Sequence, residues 1–258
     1  MCTRCAFIAG VAAFAGAPVL VSARSGDPAE LELGVPNMKR YADTVWLAQI
    51  TPAVWLHTTT FDLDGKGGWY PANGAIVVRG DHAVLIDTGW THEQTVAILA
   101  AWEQTRQPAI RTALVTHWHH DRIIGVGELA ARGISSYGNP LTIGLAVDNG
   151  YTPPKPLHDL EKKPVVHDGL EVFYPGEGHT LDNITVWIQS DNVLFGGCLV
   201  KATTAPDLGF MGDGNPATYA ATMRNLIQRY PSAKVVIPGH GTISGDSLAH
   251  TLRMAIHA

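Results

Sequence analysis

Residues 111–121 read RTALVTHWHHD, and this stretch decides how the rest of the chain is interpreted. Its first six residues form a short run typical of a β-strand, which ends directly before His117. In an extended chain the side chains at i, i+2 and i+4 project to the same side, so His117, His119 and Asp121 converge on one point. Imidazole and carboxylate groups are both ligands of zinc. The spacing predicts a metal site, and solvated histidines at a strand end are the alternative.

Three further candidate ligands follow later strand-like runs, and each is flanked by glycine. They are His179 in EGHT, Cys198 in GGC and His240 in PGHG. A backbone packed closely around a compact ligand explains these glycines, although such residue pairs also mark ordinary turns. Six ligands are too many for one tetrahedral zinc, and they divide into two sets of three, each completed by solvent. A thiolate among them favours a soft or borderline metal over magnesium or calcium.

The N-terminus has the pattern of a secretory signal peptide. Arg4 precedes an apolar run over residues 6–21, and small residues before and at Ala23 offer a cleavage site. A buried N-terminal helix is the alternative, but two glycines and a proline interrupt it. We predict a signal peptide over residues 1–23 and export to the periplasm. Cleavage would remove Cys2 and Cys5 and leave Cys198 as the only thiol in an oxidising compartment, which favours metal ligation.

Length and composition bound the class of protein. The 258 residues are enough for one large or two small domains, and a formal net charge of −5 argues against nucleic acid as a partner. No stretch of the mature chain is long and apolar enough to span a bilayer, so no stable membrane association is expected. No feature of the sequence demands more than a monomer.

The order of predicted elements indicates two sheets packed face to face with helices outside. Between the first two strands, residues 58–73 are rich in glycine and aspartate and predict a long hairpin loop that carries exposed aromatics. Asn215 is the predicted cap of the helix at 216–229, and Thr91 caps the helix at 91–107. The remaining predicted helices cover residues 121–132, 139–148 and 244–255. Strands are predicted at 44–57, 74–87, 111–116, 134–137, 170–174, 184–189, 193–195 and 234–237.

In these motifs the chain resembles the metallo-β-lactamase superfamily, and within it the class B β-lactamases of subclass B1, over nearly all of residues 24–258. The resemblance implies an α/β fold, the four-layer αβ/βα sandwich, with two zinc ions per monomer at one edge of the sheets. Superfamily thiolesterases carry a histidine ligand where this chain has Arg122, and a bridging aspartate where it has Cys198. The resemblance implies a first zinc site at His117, His119 and His179, and a second at Asp121, Cys198 and His240.

The same resemblance implies roles around the metals. Lys201, three residues after the cysteine, would receive the carboxylate of the substrate. Asp87 and Arg122 would support the ligands without binding metal, and Asp182 and Asn183 would support His179. The aromatic hairpin would cover the substrate, with Phe61 and Trp69 as the apolar contacts. Phe210 falls where many members carry an asparagine near the lactam carbonyl, which leaves the substrate preference open.

We therefore expect hydrolysis of the β-lactam amide bond by a metal-activated hydroxide, with Asp121 orienting the nucleophile or relaying its proton. The substrates would be small molecules: penicillins, cephalosporins and carbapenems. A thioester or lactone hydrolase of the same superfamily is the nearest alternative. A zinc-stabilised protein without activity is a further alternative, although structural zinc sites are closed by four protein ligands.

Overall fold

Two β-sheets form the centre of the protein in the computed structural model, which describes residues 33–63, 65 and 67–258. The first sheet has eight strands in the order β1 to β8, and the second has five in the order β13-β12-β11-β10-β9. The predicted signal peptide, residues 1–23, lies outside the described residues. Within them, no helix has both the length and the apolar character of a membrane span.

The strands of the first sheet are β1 Lys39–Ala42, β2 Val45–Gln49, β3 Val54–Asp62, β4 Trp69–Arg79, β5 His82–Ile86, β6 Ile110–Val115, β7 Ser135–Gly138 and β8 Lys155–Pro156. Those of the second are β9 Val165–His167, β10 Leu170–Phe173, β11 Thr185–Ile188, β12 Val193–Gly197 and β13 Val235–Pro238. The helices are α1 His92–Gln104, α2 His120–Ile123, α3 Val126–Ala131, α4 Pro140–Asp148, α5 Pro216–Arg229 and α6 Ser247–Ile256.

Alternation along the strands divides the interior into three apolar layers. In β5, Val84 and Ile86 face the second sheet, where they join a cluster that includes Phe195 of β12. Ala83 and Leu85 of the same strand face the opposite way and pack with α1. A third cluster joins the outer face of the second sheet to α5 and α6. The predicted four-layer αβ/βα sandwich is thereby confirmed.

The hairpin of β3 and β4 differs from the prediction. The two strands stay paired from Val54 opposite Val77 to Asp62 opposite Trp69, so the expected loop at 58–73 is wrong and the connection is only residues 63–68. The physical reason lies in composition, because glycine and aspartate are concentrated near that connection, whereas the threonines at 58–60 favour strands. Those three threonines are also buried, which rewards continued pairing.

The single helix expected at 121–132 is also wrong, because α2 and α3 are separate. The break is at Gly125, where an added Cβ would lie 2.2 Å from Oγ1 of Thr95 in α1. Thr91 caps α1 as predicted, by accepting from the backbone N–H of Gln94. Asn215 occupies the cap position of α5, but its side chain donates to Glu177 instead. The sequence patterns did not indicate β1, β8 or β9.

His57 is a buried titratable group on β3, remote in sequence from the candidate ligands. Its Nε2 lies 3.1 Å from the carbonyl oxygen of Ile86, and burial lowers its pKa to about 4. Gly74 lies opposite, and a Cβ there would come within 2.0 Å of the same Nε2 atom. Only glycine therefore leaves room for the imidazole.

We predict that protonation of His57 destabilises the fold. The pKa of His57 is lower in the folded protein than in the unfolded chain, so protonation favours the unfolded state. The contribution of neutral His57 to the free energy of unfolding is therefore complete above about pH 6.5 and is lost as the pH falls towards 4. In the metal-free protein, the free energy of unfolding should lose about 1 kcal/mol between pH 7 and 5.5 from this group. Urea denaturation of wild type and His57→Gln measures it, since glutamine keeps an N–H donor for Ile86. Parallel pH curves for the two proteins would contradict the prediction.

Candidate metal centre

The candidate ligands come from both sheets and meet at one edge of the sandwich. His117 and His119 follow β6 of the first sheet, while Cys198 and His240 follow the parallel pair β12 and β13 of the second. The carboxyl ends of parallel strands emerge at the same edge, which brings residues distant in sequence together. His179 comes from the segment between β10 and β11.

Three imidazoles form the first group of possible ligands: His117, His119 and His179, with ligand atoms within 4.8 Å of one another. Nδ1 of His119 lies 3.1 Å from Nε2 of His179, and the three ring centroids are 4.8 to 5.0 Å apart. Burial holds the pKa values of His117 and His179 well below the ordinary value. Both rings are therefore neutral and keep a lone pair for a metal.

Asp121, Cys198 and His240 form the second group, again with ligand atoms within 4.8 Å of one another. Nε2 of His240 lies 3.1 Å from Sγ of Cys198 and 3.4 Å from Oδ2 of Asp121. Nδ1 of the same imidazole lies 2.8 Å from the carbonyl oxygen of Pro71, which leaves Nε2 to face the other two residues. The backbone of the hairpin thus determines how this histidine is oriented.

The donor sets suit metal cations. Nε2 of His117 is buried and has no hydrogen-bond partner among the described residues, an arrangement that a bound cation would satisfy. Burial raises the pKa of the Cys198 thiol to about 12, so a neighbouring positive charge is needed to hold it as thiolate at neutral pH. Three protein ligands per group leave further coordination positions for water or substrate.

Arg122 supplies a fixed positive charge behind the second group. Its guanidinium is fully buried, with Nη2 2.7 Å from Oδ2 of Asp121 and Nη1 3.5 Å from Oδ2 of Asp87. The same group donates to the carbonyl oxygens of Asn73 and Gly239 at 2.5 and 2.8 Å. Burial opposes its charge, but Asp121, Cys198 and Asp87 together raise the pKa of Arg122 above its ordinary value.

Asp87 supports the first group through the backbone. Its carboxylate accepts from the backbone N–H and the hydroxyl of Thr116 at 2.7 and 2.8 Å, directly before His117. Its own backbone has a φ of 61°, a left-handed conformation that aspartate tolerates better than most residues. Asn183 acts similarly beside His179, by accepting from the backbone N–H of Thr180, whereas Asp182 accepts from that of Trp118, between His117 and His119.

Two contacts were missed by the sequence patterns. Oδ2 of Asp213 lies 3.2 Å from Nε2 of His119, which leaves Nδ1 of that ring to face the other imidazoles. Asn73 donates through its amide to the carbonyl oxygens of Pro238 and Gly241, and so attaches the hairpin to the segment that bears His240. A lone aspartate between glycines and an asparagine within a strand have no distinctive spacing, so only the fold brings them to the site.

The predicted substrate-contact residues lie at different distances from the ligands. Phe61 is 37% exposed and stacks on Trp90 at 5.8 Å between centroids, and Trp90 in turn lies 5.9 Å from His240. Phe210 is exposed next to the first group, and its ring centroid lies 5.9 Å from that of His119. Trp69 pairs with Asp62 near the end of the hairpin. Because facing pairs alternate between the two sides of a ribbon, Trp69 and Phe61 lie on opposite faces.

Comparison with known proteins gives consistent matches. The family model described as the metallo-beta-lactamase superfamily matches residues 67–240. A Bacillus cereus protein named metallo-beta-lactamase type 2 is 35% identical over 242 residues, which cover 92% of this chain and 93% of that one. A metallo-beta-lactamase of Pseudomonas aeruginosa, solved in a mono-zinc form, is 32% identical with a TM-score of 0.80 and covers 84% of this chain and 97% of that one. One from Erythrobacter litoralis is 34% identical with a TM-score of 0.77, and the coverages are 86% and 100%.

We predict that Arg122→Met destabilises the metal-free protein by about 3–5 kcal/mol, because it leaves buried carboxylates without their counter-ion. Arg132→Ala is the matched control, since it removes only a partly exposed pair with Glu128 and should cost about 0.5 kcal/mol or less. Chemical denaturation of the chelated proteins measures both values. Equal stability of Arg122→Met and wild type would show that the buried charge is not needed.

Proposed function

Since the chain belongs to the metallo-β-lactamase superfamily, we propose that it hydrolyses the amide bond of β-lactam antibiotics with two zinc ions, one at each ligand group. The observation that carries this proposal is the juxtaposition of the two groups at one edge of the sandwich. The first is formed by His117, His119 and His179, and the second by Asp121, Cys198 and His240. The substrate is a small molecule.

The choice of zinc rests on the donor chemistry. Three imidazoles in one group, and an imidazole, a thiolate and a carboxylate in the other, favour zinc over magnesium and calcium. A mono-zinc form of a related metallo-beta-lactamase is known. When bound, the two cations lower the pKa of a water molecule and offset negative charge that develops on the substrate. Two zinc ions per chain is part of the proposal.

The residues of the chain act on the substrate and on the proton. Lys201 lies in the cavity beside His240 and is proposed to bind the carboxylate of the β-lactam as a flexible cation. Asp121 is proposed to orient the attacking water and to receive its proton, which then passes to the amide nitrogen as the carbon–nitrogen bond breaks. The water oxygen becomes part of the new carboxylate, so no covalent acyl-enzyme is required.

The walls of the site are proposed to contact the rest of the substrate. Phe61 packs on Trp90, which contacts His240 of the second group, and Phe210 lies beside His119 of the first. Trp69, on the opposite face of the hairpin from Phe61, is the third proposed aromatic contact. Phe210 has no hydrogen-bond donor in its side chain, so it is proposed to form an apolar wall and not to polarise the carbonyl. We expect penicillins, cephalosporins and carbapenems all to be substrates of this site.

We also propose that the protein acts as a monomer in the periplasm. Support for export comes from the pattern of residues 1–23, with Arg4 before an apolar run. The acidic balance of the chain gives no support for binding nucleic acid.

Activity should depend on metal. The purified protein is expected to open a chromogenic cephalosporin, to lose this activity to a chelator, and to regain it with zinc. Absorbance of the opened ring measures each step. Hydrolysis that persists after complete metal removal would contradict the mechanism. A parallel assay with a thioester distinguishes a β-lactamase from a thioester hydrolase of the same superfamily. Because Arg122 and Cys198 disfavour thioester hydrolysis, the cephalosporin should be the better substrate. Faster turnover of the thioester would overturn the proposed substrate class.

Metal content tests the second ligand group. Cys198→Ala removes one of its three ligands, so bound zinc should fall from about two to about one per chain, while the three imidazoles keep their metal. Asp148→Asn, an exposed change at the end of α4, serves as control and should leave the content unchanged. Elemental analysis of dialysed protein measures the stoichiometry. An unchanged content in Cys198→Ala would remove this residue from the ligand set.

A further inference from the structure

One cavity beside the second ligand group is bordered by charges of both signs. The cavity opens to solvent, and its lining includes Tyr70, Lys201, Thr204, Asp207 and His240. The contribution of His240 makes the cavity continuous with the candidate metal centre. In the proposed function Lys201 binds the carboxylate of the substrate, whereas Asp207 has no part in that reaction.

Lys201 is the cationic side chain in the lining of this cavity. None of the ion pairs among the described residues involves Lys201. Burial lowers its pKa to about 8, while the charges of Cys198 and Asp207 act in the opposite direction. Asp207 lines the same cavity as Lys201, but no ion pair joins the two side chains in the described part of the chain.

Asp207 is held in place and still open to solvent. One carboxylate oxygen, Oδ1, accepts from the backbone N–H of Gly209 at 2.8 Å, and this contact fixes the side chain in its turn. The residue is exposed. Its charge also contributes, after burial and the nearer Cys198 and Asp121, to the raised pKa of Tyr70 on the other side of the cavity. The carboxylate thus lies at the rim of the cavity and acts on groups inside it.

We propose that Asp207 and Lys201 form a paired-charge subsite that favours β-lactams with a cationic substituent next to their ring carboxylate. The inference rests on the proposed function and adds a substrate class to it. With the substrate carboxylate at Lys201, a neighbouring positive group reaches Asp207, whereas a neutral group gains nothing there and an anionic one is repelled. Cephalosporins have this geometry, because the ring carbon bearing the carboxylate adjoins the carbon that carries the variable substituent.

Two cephalosporins that share a thienylacetyl side chain provide the test. One carries a neutral acetoxymethyl group beside the carboxylate, and the other a cationic pyridiniummethyl group. Asp207→Asn removes the charge and keeps an oxygen for the N–H of Gly209. The kcat/KM of the cationic compound relative to the neutral one should fall by about three- to tenfold in this variant, mainly through KM, as expected for a partly exposed charge pair.

Added salt and matched variants test whether the charge of Asp207 causes the preference for the cationic compound. Added salt should reduce the preference of wild type for the cationic compound and leave that of Asp207→Asn unchanged. Asp207→Glu should retain part of the preference, and Asp148→Asn, which removes an equal charge elsewhere, should retain all of it.

The outcomes separate the two proposals. If wild type hydrolyses both compounds and Asp207→Asn leaves their ratio unchanged, the subsite is wrong and the proposed function stands. If Asp148→Asn lowers the ratio of the two kcat/KM values as much as Asp207→Asn does, the preference arises from the net charge of the protein, and the subsite is again wrong. If wild type hydrolyses neither compound, the proposed function fails and the subsite fails with it.

Discussion

The buried guanidinium of Arg122 is the interaction on which the geometry of the site depends. A fully buried cation is costly unless its charge is compensated by nearby carboxylates and hydrogen-bond acceptors. Here the match comes from Asp87 after β5, Asp121 in α2, and backbone carbonyls of Asn73 in β4 and Gly239 after β13. One side chain therefore contacts segments of both sheets around the second ligand group. Its fixed charge also faces Asp121 and the Cys198 thiol, the two residues that would carry negative charge toward a metal.

Around this cation, a second set of contacts determines which atom of each imidazole faces inward. The carboxylate of Asp213 contacts Nε2 of His119, and the carbonyl oxygen of Pro71 contacts Nδ1 of His240. Asp87 positions His117 indirectly, through Thr116. Ligands held by partners in this way keep their geometry whether or not a substrate is present. The cavity beside His240 differs, because Lys201 and Asp207 both line it and no ion pair joins them among the residues that the structure describes.

The sequence predicted the long-range order of the fold better than its local boundaries. The two-sheet sandwich, the capping role of Thr91 and all six candidate ligands follow from periodicity and spacing. The hairpin loop at 58–73 was wrong because turn-forming residues near the tip masked strand-forming threonines beside them. The single helix at 121–132 was wrong because its break depends on Gly125 meeting Thr95 of α1, a tertiary contact. β8 and β9 were missed because two or three residues are too few to show alternation, and β1 was missed because its sequence KRYA is half polar and none of its residues is fully buried.

By itself, the sequence determined which chemistry is present: the spacing His117-X-His119-X-Asp121 and the glycine-flanked His179, Cys198 and His240 name the metal ligands that the chain can offer. Only the tertiary structure decided how closely the ligand atoms of each group approach one another, which nitrogens face inward, and that Phe61 and Trp69 lie on opposite faces of one hairpin. The physical reason is that residue type limits what an atom can bind, whereas direction and distance depend on backbone pairing and on partners far away in sequence. Asp213 and Asp207 illustrate this, since neither has a distinctive motif and both acquire significance from what the fold places beside them.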